Sequence, residues 1–259
     1  MTIHEQAIVS PSARIHPSVS IGPFTVIGPE VEIGAGTVVA SHVVIGGPTV
    51  IGRNNHIYQF ASVGEDCQDK KYNGEPTRLI MGDDNIIREY CSIHRGTVQD
   101  RGETTIGNGN LFMASSHVAH DCVVGNGTIL ANLATIAGHV RVDDFAILGG
   151  GTLVHQFCHI GTQSMCAGGS IVLKDVPAYV MAGGQSATAH GLNTEGLRRR
   201  DVSSESVAVL RKAYKTLYRG GLTFEQAIVE LDKLDADNES AELKVFIASL
   251  KRATRGIVR

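Results

Sequence analysis

An apolar residue recurs at every sixth position over most of the first 172 residues. The series runs Val9, Ile15, Ile21, Ile27, Ile33, Val39, Ile45, Ile51, Ile57 and Val63, and restarts at Met81, Ile87 and Ile93. Its longest stretch begins at Ile106 and passes through Phe112, Val118, Val124, Leu130, Ile136, Val142, Leu148, Val154, Ile160 and Cys166 to Val172. A unit this short can bury its apolar side chain only by stacking on its neighbours, which is the physical basis of a solenoid. Three hexapeptides make one triangular coil of eighteen residues, and parallel coils satisfy one another's backbone. Asn108-Gly109, Asn126-Gly127 and Gly34-Ala35-Gly36 suit corners that need small or left-handed conformations. The period predicts stacked parallel strands but not their hand, for which the general crossover rule points to the right.

Two tracts interrupt the pattern. Residues 64–80 are polar, yet Val63 and Met81 are eighteen positions apart, so composition argues for a loop there and spacing does not. From Ile93 to Ile106 the interval is thirteen, one more than two units. A repeat that resumes after such a tract has usually placed a loop on one face, often the binding face. After Pro177 the apolar period moves toward 3.6. Ser203 is placed to cap a helix with the stripe Val207, Leu210, Tyr214, Leu217 and Tyr218, ending at Gly220-Gly221. Thr223 and Gln226 form a capping-box signal for a second helix with Ala227, Ile228, Leu231 and Leu234 on one face. A third carries Leu243, Phe246, Ile247 and Leu250. So small a helical set is expected to pack on the solenoid and cover its open end. The chain thus divides into a solenoid over 1–189, with excursions near 64–80 and 95–105, and a helical domain over 190–259.

Composition refines this picture. Aromatics are 5% and Trp is absent, against 30 glycines, so the core is one of stacked small and β-branched side chains. The net charge of −3 splits into −6 for residues 1–189 (10 basic, 16 acidic) and +3 for 190–259 (13 basic, 10 acidic). That basic excess suits an anionic ligand or an acidic partner and is too small to argue for nucleic acid. The five cysteines form no CxxC pair and read as reduced core or wall residues. No apolar stretch approaches the roughly 20 residues of a membrane span, and no export signal is evident, so a cytoplasmic location is expected.

Candidate chemistry clusters at Ser115-Ser116-His117-Val118-Ala119-His120-Asp121-Cys122. Val118 is an inward position, so His117 faces outward, and His120 lies beside a corner. Eighteen-residue coils put His139 almost directly above His120, and His155-Gln156 close to two coils above, making a ridge of imidazoles along one edge. Such a histidine can be a general base, its tautomer held by Asp121 or a backbone carbonyl. Three imidazoles could instead hold zinc with a position left for water, or the ridge could be an interfacial polar network without chemistry. Lys70-Lys71, with Gln68 and Asp69, is either a solvated loop tip or a group that meets phosphate. The Arg198-Arg199-Arg200 triplet, read as directly preceding a helix and accompanied by Asn193 and Glu195, is either solvated surface or a nucleotide diphosphate contact.

Taken together, five motifs carry a closer resemblance. They are Gly-Glu-x-x-Gln-Asp-x-Lys-Tyr-x-Gly-Glu-Pro-Thr-Arg (64–78), Ile-His-Arg-Gly-Thr (93–97), His-Val-Ala-His-Asp-Cys (117–122), Val-His-Gln-Phe (154–157) and Asn-x-Glu-Gly-Leu-x-Arg-Arg (193–200). The chain resembles, essentially from end to end, the bacterial UDP-N-acetylglucosamine acyltransferases, which perform the first committed step of lipid A biosynthesis. The resemblance implies a left-handed parallel β-helix with a C-terminal helical domain, assembled as a homotrimer with sites between subunits. It implies transfer of a 3-hydroxyacyl chain from acyl carrier protein to the glucosamine 3-hydroxyl, with no metal or other cofactor. His120 is then the base and Asp121 its orienting partner. Gln68, Asp69, Lys71, His117, His139, His155 and Gln156 surround the sugar and phosphates, and Asn193, Glu195, Arg199 and Arg200 the nucleotide. Gly138 with His139 lines the oxyanion or acceptor region. Gly168 sets acyl length, with Met165 and Ser170 as further wall residues, and a glycine there favours twelve to fourteen carbons. Arg211, Lys215 and Arg219 would steer the acidic carrier. Alternatives left open are N-acylation of an amino-substituted UDP-sugar, a zinc-dependent hydratase and a non-catalytic binding trimer.

Overall fold

The computed structural model describes residues 2–238 and 240–259. Strands of mostly two to four residues turn a corner about every six residues and stack into three sheets of parallel coils. Among the described residues the first sheet holds eleven strands, beginning Thr2–Ile3 and Ser20–Ile21; the second nine, beginning Ile8–Val9; the third eight, beginning Arg14–Ile15. Coil lies on coil in an eighteen-residue register, as in Ser20 on Val38 and Val118 on Ile136. The solenoid is a left-handed parallel β-helix, against the general rule for crossovers. That rule rests on a helix packing back onto a twisted sheet. Here the connections are tight corners, many holding a residue near φ +60°, such as Phe24, Asp121 and His139.

Every hexapeptide position from Ile21 to Val172 is buried, while Val9 and Ile15, in the first coil, are only half-buried because nothing stacks below them. A second internal ladder is polar. At the corner between the third and first sheets, Thr37, Asn55, Asn85, Asn110 and Thr128 are all buried. Asn85 Nδ2 donates to Asn55 Oδ1 (3.0 Å), Asn110 Nδ2 to Asn85 Oδ1 (2.9 Å) and Thr128 Oγ1 to Asn110 Oδ1 (2.8 Å). Each side chain thus satisfies the one on the neighbouring coil, which buried amides require.

The two polar tracts are insertions at the same edge, between the second and third sheets. Paired residues 18 apart elsewhere are 30 apart across the first tract and 25 apart across the second, an excess of twelve and seven. Twelve is two whole units, which explains why spacing alone was silent about the first loop. Gly96 lets the second loop fold back, because a Cβ there would fall 2.2 Å from Glu103 N.

A hairpin of Val180–Gly183 and Thr188–Leu192 extends the first sheet, so residue 189 lies inside its last strand. Four helices follow among the described residues: α1 (Thr194–Arg199), α2 (Ser204–Arg219), α3 (Phe224–Ala236) and α4 (Ala241–Lys251). Ser203 caps α2 and the Thr223–Gln226 capping box is complete. α1 is a helix the sequence reading did not count, and it holds the first two arginines of the triplet in its last turn, where they had been placed ahead of a helix. Its cap is Asn193, whose Oδ1 accepts from Gly196 N at 3.0 Å. Helix α4 lies against the flank of the third sheet, where Arg252 reaches Asp143 at 2.8 Å, and Ser249 Oγ accepts from Ala178 N. The tail closes on the last coil through Asp175 N to Gly256 O and Val258 N to Asp175 O, both 2.9 Å.

Replacing Asn85 with Leu should strand two donors of Asn110 inside the prism, its N and Nδ2, which both bond to Asn85 Oδ1. With a cost of about 1–3 kcal/mol for each buried group left unpaired, urea unfolding at fixed protein concentration is expected to show a loss of about 3 kcal/mol. A loss below about 1 kcal/mol would mean that the ladder is dispensable.

Candidate active site

The corner between the second and third sheets brings the densest polar chemistry together. Val118 is fully buried, so the chain turns outward at Ala119 and presents His120 and Asp121 at the edge. His120 Nδ1 lies 2.8 Å from Asp121 Oδ2. Asp121 is itself buried and accepts from the second loop at both oxygens: Thr97 N donates to Oδ1 (2.9 Å) and Thr97 Oγ1 to Oδ2 (2.6 Å). Burial alone would raise the Asp121 carboxyl, but the hydrogen bonds from His120 and Thr97 outweigh it and hold it below the usual range. An ionised carboxylate on Nδ1 fixes the ring as the Nδ1–H form, leaving the Nε2 lone pair as the basic atom.

The eighteen-residue register builds the rest of the edge. Gly138 stands directly above His120, and a Cβ there would fall 2.5 Å from His120 Cε1, so only glycine leaves room for the ring. His139 follows Asp121 at the next coil. Its ring meets His120 edge-on (centroids 5.0 Å, 90°) and its Nδ1 lies 2.7 Å from Asp100 Oδ2. One coil higher Phe157 stacks flat on His139 (4.4 Å, 7°). Gln156 is two coils above His120, and His155, exposed, bonds to the Gln156 carbonyl (3.1 Å). The ridge of imidazoles therefore ends in an aromatic face.

Below it, His117 packs edge-on against His94 (5.0 Å) with Nδ1 2.8 Å from Ser92 Oγ. Burial, then the neighbouring His94 and His120, push the His117 imidazole down to about 4. Burial lowers His94 in the same way.

Gln68, Asp69 and Lys71 sit on the first loop at this same edge. The Gln68 and Lys71 side chains are exposed and, among the described residues, make no hydrogen bond to the imidazoles; Asp69 Oδ1 accepts from Lys71 N at 2.9 Å. The loop is tied down by the arginine of the Ile-His-Arg-Gly-Thr motif. Buried Arg95 donates to Gly47 O (2.9 Å) and Gly64 O (2.8 Å), pairs with Asp66 and reaches Tyr72 Oη (3.1 Å).

The remaining candidates lie on other edges. Asn193, Arg199 and Arg200 line a pocket of about 290 Å³ with Gly127, Phe145, Gln163 and Gly196, at the corner between the third and first sheets. Arg200 lies over the Phe145 ring at 3.4 Å from its centroid. Glu195 ion-pairs with Arg198 and Arg199, both at 2.8 Å, and those contacts pull its carboxyl down to about 2. Gly168 is at the third corner, between the first and second sheets, where a Cβ would meet only the backbone of Gly150, at 3.3 Å or more. Met165 is half-buried on the outer face, but Ser170 is not a groove wall: it is fully buried, its Oγ donating to Ala167 O at 2.5 Å. Inward position and a backbone bond explain that difference. Phe157, Phe145 and Gln163 were all legible as eighteen-residue successors of corner positions.

His120, Asp121 and His139 also bring three possible metal donors within 4.8 Å of one another. Their nearest atoms are already committed, since both Asp121 oxygens, His120 Nδ1 and His139 Nδ1 are hydrogen-bonded. A metal bound through Asp121 would have to break one of the contacts that orient His120, whereas the Nε2 atoms of His120 and His139, each with Nδ1 held by a carboxylate, are left as donors. The cysteines are all free and buried, and burial pushes Cys122 and Cys166 up to about 12.

The depressed His117 value has a testable consequence. The unfolded ring, with its ordinary value near 6.5, takes a proton that the folded ring refuses until about pH 4. Native stability should therefore fall as pH drops from about 6.5 toward 4. Urea midpoints at pH 7 and pH 5 should separate less in His117→Asn than in the parent; equal separation would show that His117 does not contribute.

Comparison with known proteins agrees with this geometry. Residues 175–258 match the family model "Udp N-acetylglucosamine O-acyltransferase; Domain 2", and residues 2–47 and 103–138 match the bacterial transferase hexapeptide model. The acyl-[acyl-carrier-protein]--UDP-N-acetylglucosamine O-acyltransferases of Ectopseudomonas mendocina and Pseudomonas aeruginosa are 58% and 57% identical over 205 residues, 79% of each chain. Among solved structures, UDP-N-acetylglucosamine O-acyltransferase of Moraxella catarrhalis superposes with a TM-score of 0.97 at 51% identity, covering both chains fully. The Francisella novicida enzyme does so at 0.96 and 41%, over 100% of this chain and 94% of that one. No helix among the described residues is long and apolar enough to cross a membrane. With a repeat, a helical domain and an overall fold that these relatives share, the chain belongs to the UDP-N-acetylglucosamine O-acyltransferase family.

Proposed function

We propose that His120 is the general base of an acyl transfer from acyl carrier protein to the 3-hydroxyl of UDP-N-acetylglucosamine. The observation that carries this reading is the His120–Asp121 pair, held from below by Thr97 and left open at Nε2. A sugar hydroxyl is a poor nucleophile at neutral pH. His120 Nε2 takes its proton as the oxygen attacks the thioester carbonyl of a 3-hydroxyacyl chain. Asp121 stabilises the imidazolium that forms, and the same proton is then given to the departing thiolate sulfur as the tetrahedral intermediate collapses. The products are an oxygen ester and a free thiol, so the step balances without redox or metal help. A positioned base of this kind contributes about 10² to 10⁴ in rate.

The Gly138 N–H is the donor we assign to the oxyanion. Gly138 stands beside the His120 ring, and its N–H, among the described residues, donates no hydrogen bond. A well-aimed donor of this sort contributes a few kcal/mol, roughly 3. Asn193, Glu195, Arg199 and Arg200 are assigned to the nucleotide, supported by the pocket that three of them line and by the cation placed over Phe145. Gln68, Asp69, Lys71, His117, His139, His155 and Gln156 are assigned to the sugar and phosphates. The exposed Arg211, Lys215 and Arg219 of α2 offer a basic stripe to an acidic carrier protein.

The distribution of these parts supports a homotrimer. The imidazole edge, the nucleotide pocket and Gly168 occupy three different edges of one prism, so one site needs edges from more than one protomer. The faces that would meet are apolar: Ile8, Val26 and Val44 on the second sheet, and Val38 and Ile86 on the first, are exposed. Between them Phe24, His42, Phe60 and Tyr90 form a ladder of rings 5.0–5.2 Å apart along the shared edge. An exposed apolar surface of this extent favours a second copy of the chain. The same seam, narrowing upward to glycine at Gly151, Gly168 and Gly169, leaves a slot for an acyl tail, and Gly168 is assigned to limiting its length.

The test is to incubate the purified protein with UDP-N-acetylglucosamine and a panel of 3-hydroxyacyl carrier proteins and to weigh the product. His120→Ala should lower turnover by at least about 10²-fold with the oligomer unchanged by size-exclusion chromatography; a variant retaining a tenth of parental activity sinks the assignment. On the same panel Gly168→Met should move the preferred chain to fewer carbons. An unchanged preference would remove Gly168 from the acyl slot.

A further inference from the structure

We propose that Asp100 is a positioning residue that decides which ring nitrogen His139 presents to the acceptor sugar. The inference rests on the reading of this edge as the transfer site and adds a residue that the motifs did not single out. Asp100 stands on the second inserted loop, beyond Thr97, and its Oδ2 lies 2.7 Å from His139 Nδ1. The loop is not a free arm: Asp100 N and Gly102 N both donate to the Thr97 carbonyl (3.3 and 2.9 Å), while Thr97 grips Asp121 with its amide and hydroxyl. One short turn therefore carries the anchors of both imidazole–carboxylate pairs.

The Asp100 side chain is 40% exposed where that of Asp121 is fully buried, so the constraint on the second pair falls on the His139 ring. Phe157 covers one face of the His139 ring, and His120 meets the ring edge-on. A carboxylate accepts from Nδ1–H and offers no proton in return, so the contact selects the form with Nδ1–H and a bare Nε2. Among the described residues the only other carboxylate near that nitrogen is Asp121 Oδ2, 3.9 Å away, and it is already taken by His120 and the Thr97 hydroxyl. Without Asp100, His139 loses its acceptor and with it the fixed ring form. With Asp100, Nε2 is an acceptor beside His120, suited to a hydroxyl or amide N–H of the sugar. Asp100 thus acts on binding and alignment through His139, and the dyad at His120 keeps Asp121 for itself.

Two variants separate this from a merely structural loop contact. Asp100→Asn keeps an oxygen that accepts from Nδ1–H; Asp100→Ala removes it. In wild-type protein and in Asp100→Asn, ¹⁵N-histidine NMR of the substrate-free protein should show His139 protonated at Nδ1 and bare at Nε2. In Asp100→Ala that single form should be lost, and kcat/KM for UDP-N-acetylglucosamine should fall about tenfold, mostly in KM, with Asp100→Asn within about twofold of wild type. The idea is overturned by a doubly protonated or Nε2–H ring in wild type, by an unchanged ring form in Asp100→Ala, or by Asp100→Asn losing as much activity as Asp100→Ala. The spectrum is read without substrate, so absence of transfer activity in wild type would refute the function and leave the ring form of His139 to be judged separately.

Discussion

Everything in this molecule depends on the backbone register that lays each coil on the one eighteen residues before it. Ladder bonds such as His139 N to His120 O (3.0 Å) and His117 N to Ala134 O (2.9 Å) turn a distance along the chain into a fixed height along the prism. A side chain has freedom only at its outer end, because its inner neighbour is locked in the apolar column. Each edge then becomes a vertical file of residues whose identities can be chosen independently of the core. The fold spends its hydrophobic residues on the column and leaves the corners to chemistry.

At the chemically dense corner, the decisive term is hydrogen bonding to a buried anion. Asp121 would be forced toward its neutral form by burial, and it remains ionised because Thr97 and His120 supply three donors. That makes the seven-residue insertion part of the site and not a decoration on it. The insertion carries Thr97 to Asp121 and Asp100 to His139, and Arg95 at its root anchors the longer loop that bears Gln68 and Lys71. Two breaks in a regular repeat thus converge on the place where regular structure could not have supplied enough polar groups.

The prism also separates functions that a single concave pocket would combine. The residues proposed for the base, the nucleotide and the acyl slot stand on three edges, facing three directions. A solenoid cannot fold these edges toward one another, since its parallel ladders are continuous and stiff. Association of copies is the economical solution, and the outward apolar residues and the ring ladder lie where such association would bury them. The functional unit proposed here is accordingly an assembly of copies, argued from how residues are distributed around one chain.

Much of this was legible in the residues themselves. The six-residue period determined the coils, the inward column from Ile21 to Val172 and the near alignment of His120 with His139, because periodicity in sequence is periodicity in space once strands stack. The capping signals at Ser203 and Thr223 marked helix starts for the same local reason. Tertiary structure decided what local chemistry leaves open. The hand is set by corner conformation, which the period does not encode. Spacing was silent about the first insertion because it is two whole units long, leaving composition alone to mark it, and α1 escaped because six residues carry too little periodicity to announce a helix. The Asn55–Asn85–Asn110 ladder, the Phe157 face over His139 and the Asp100 contact join residues 18 to 39 positions apart. Only the stacking of coils and the return path of a loop bring such partners within bonding distance.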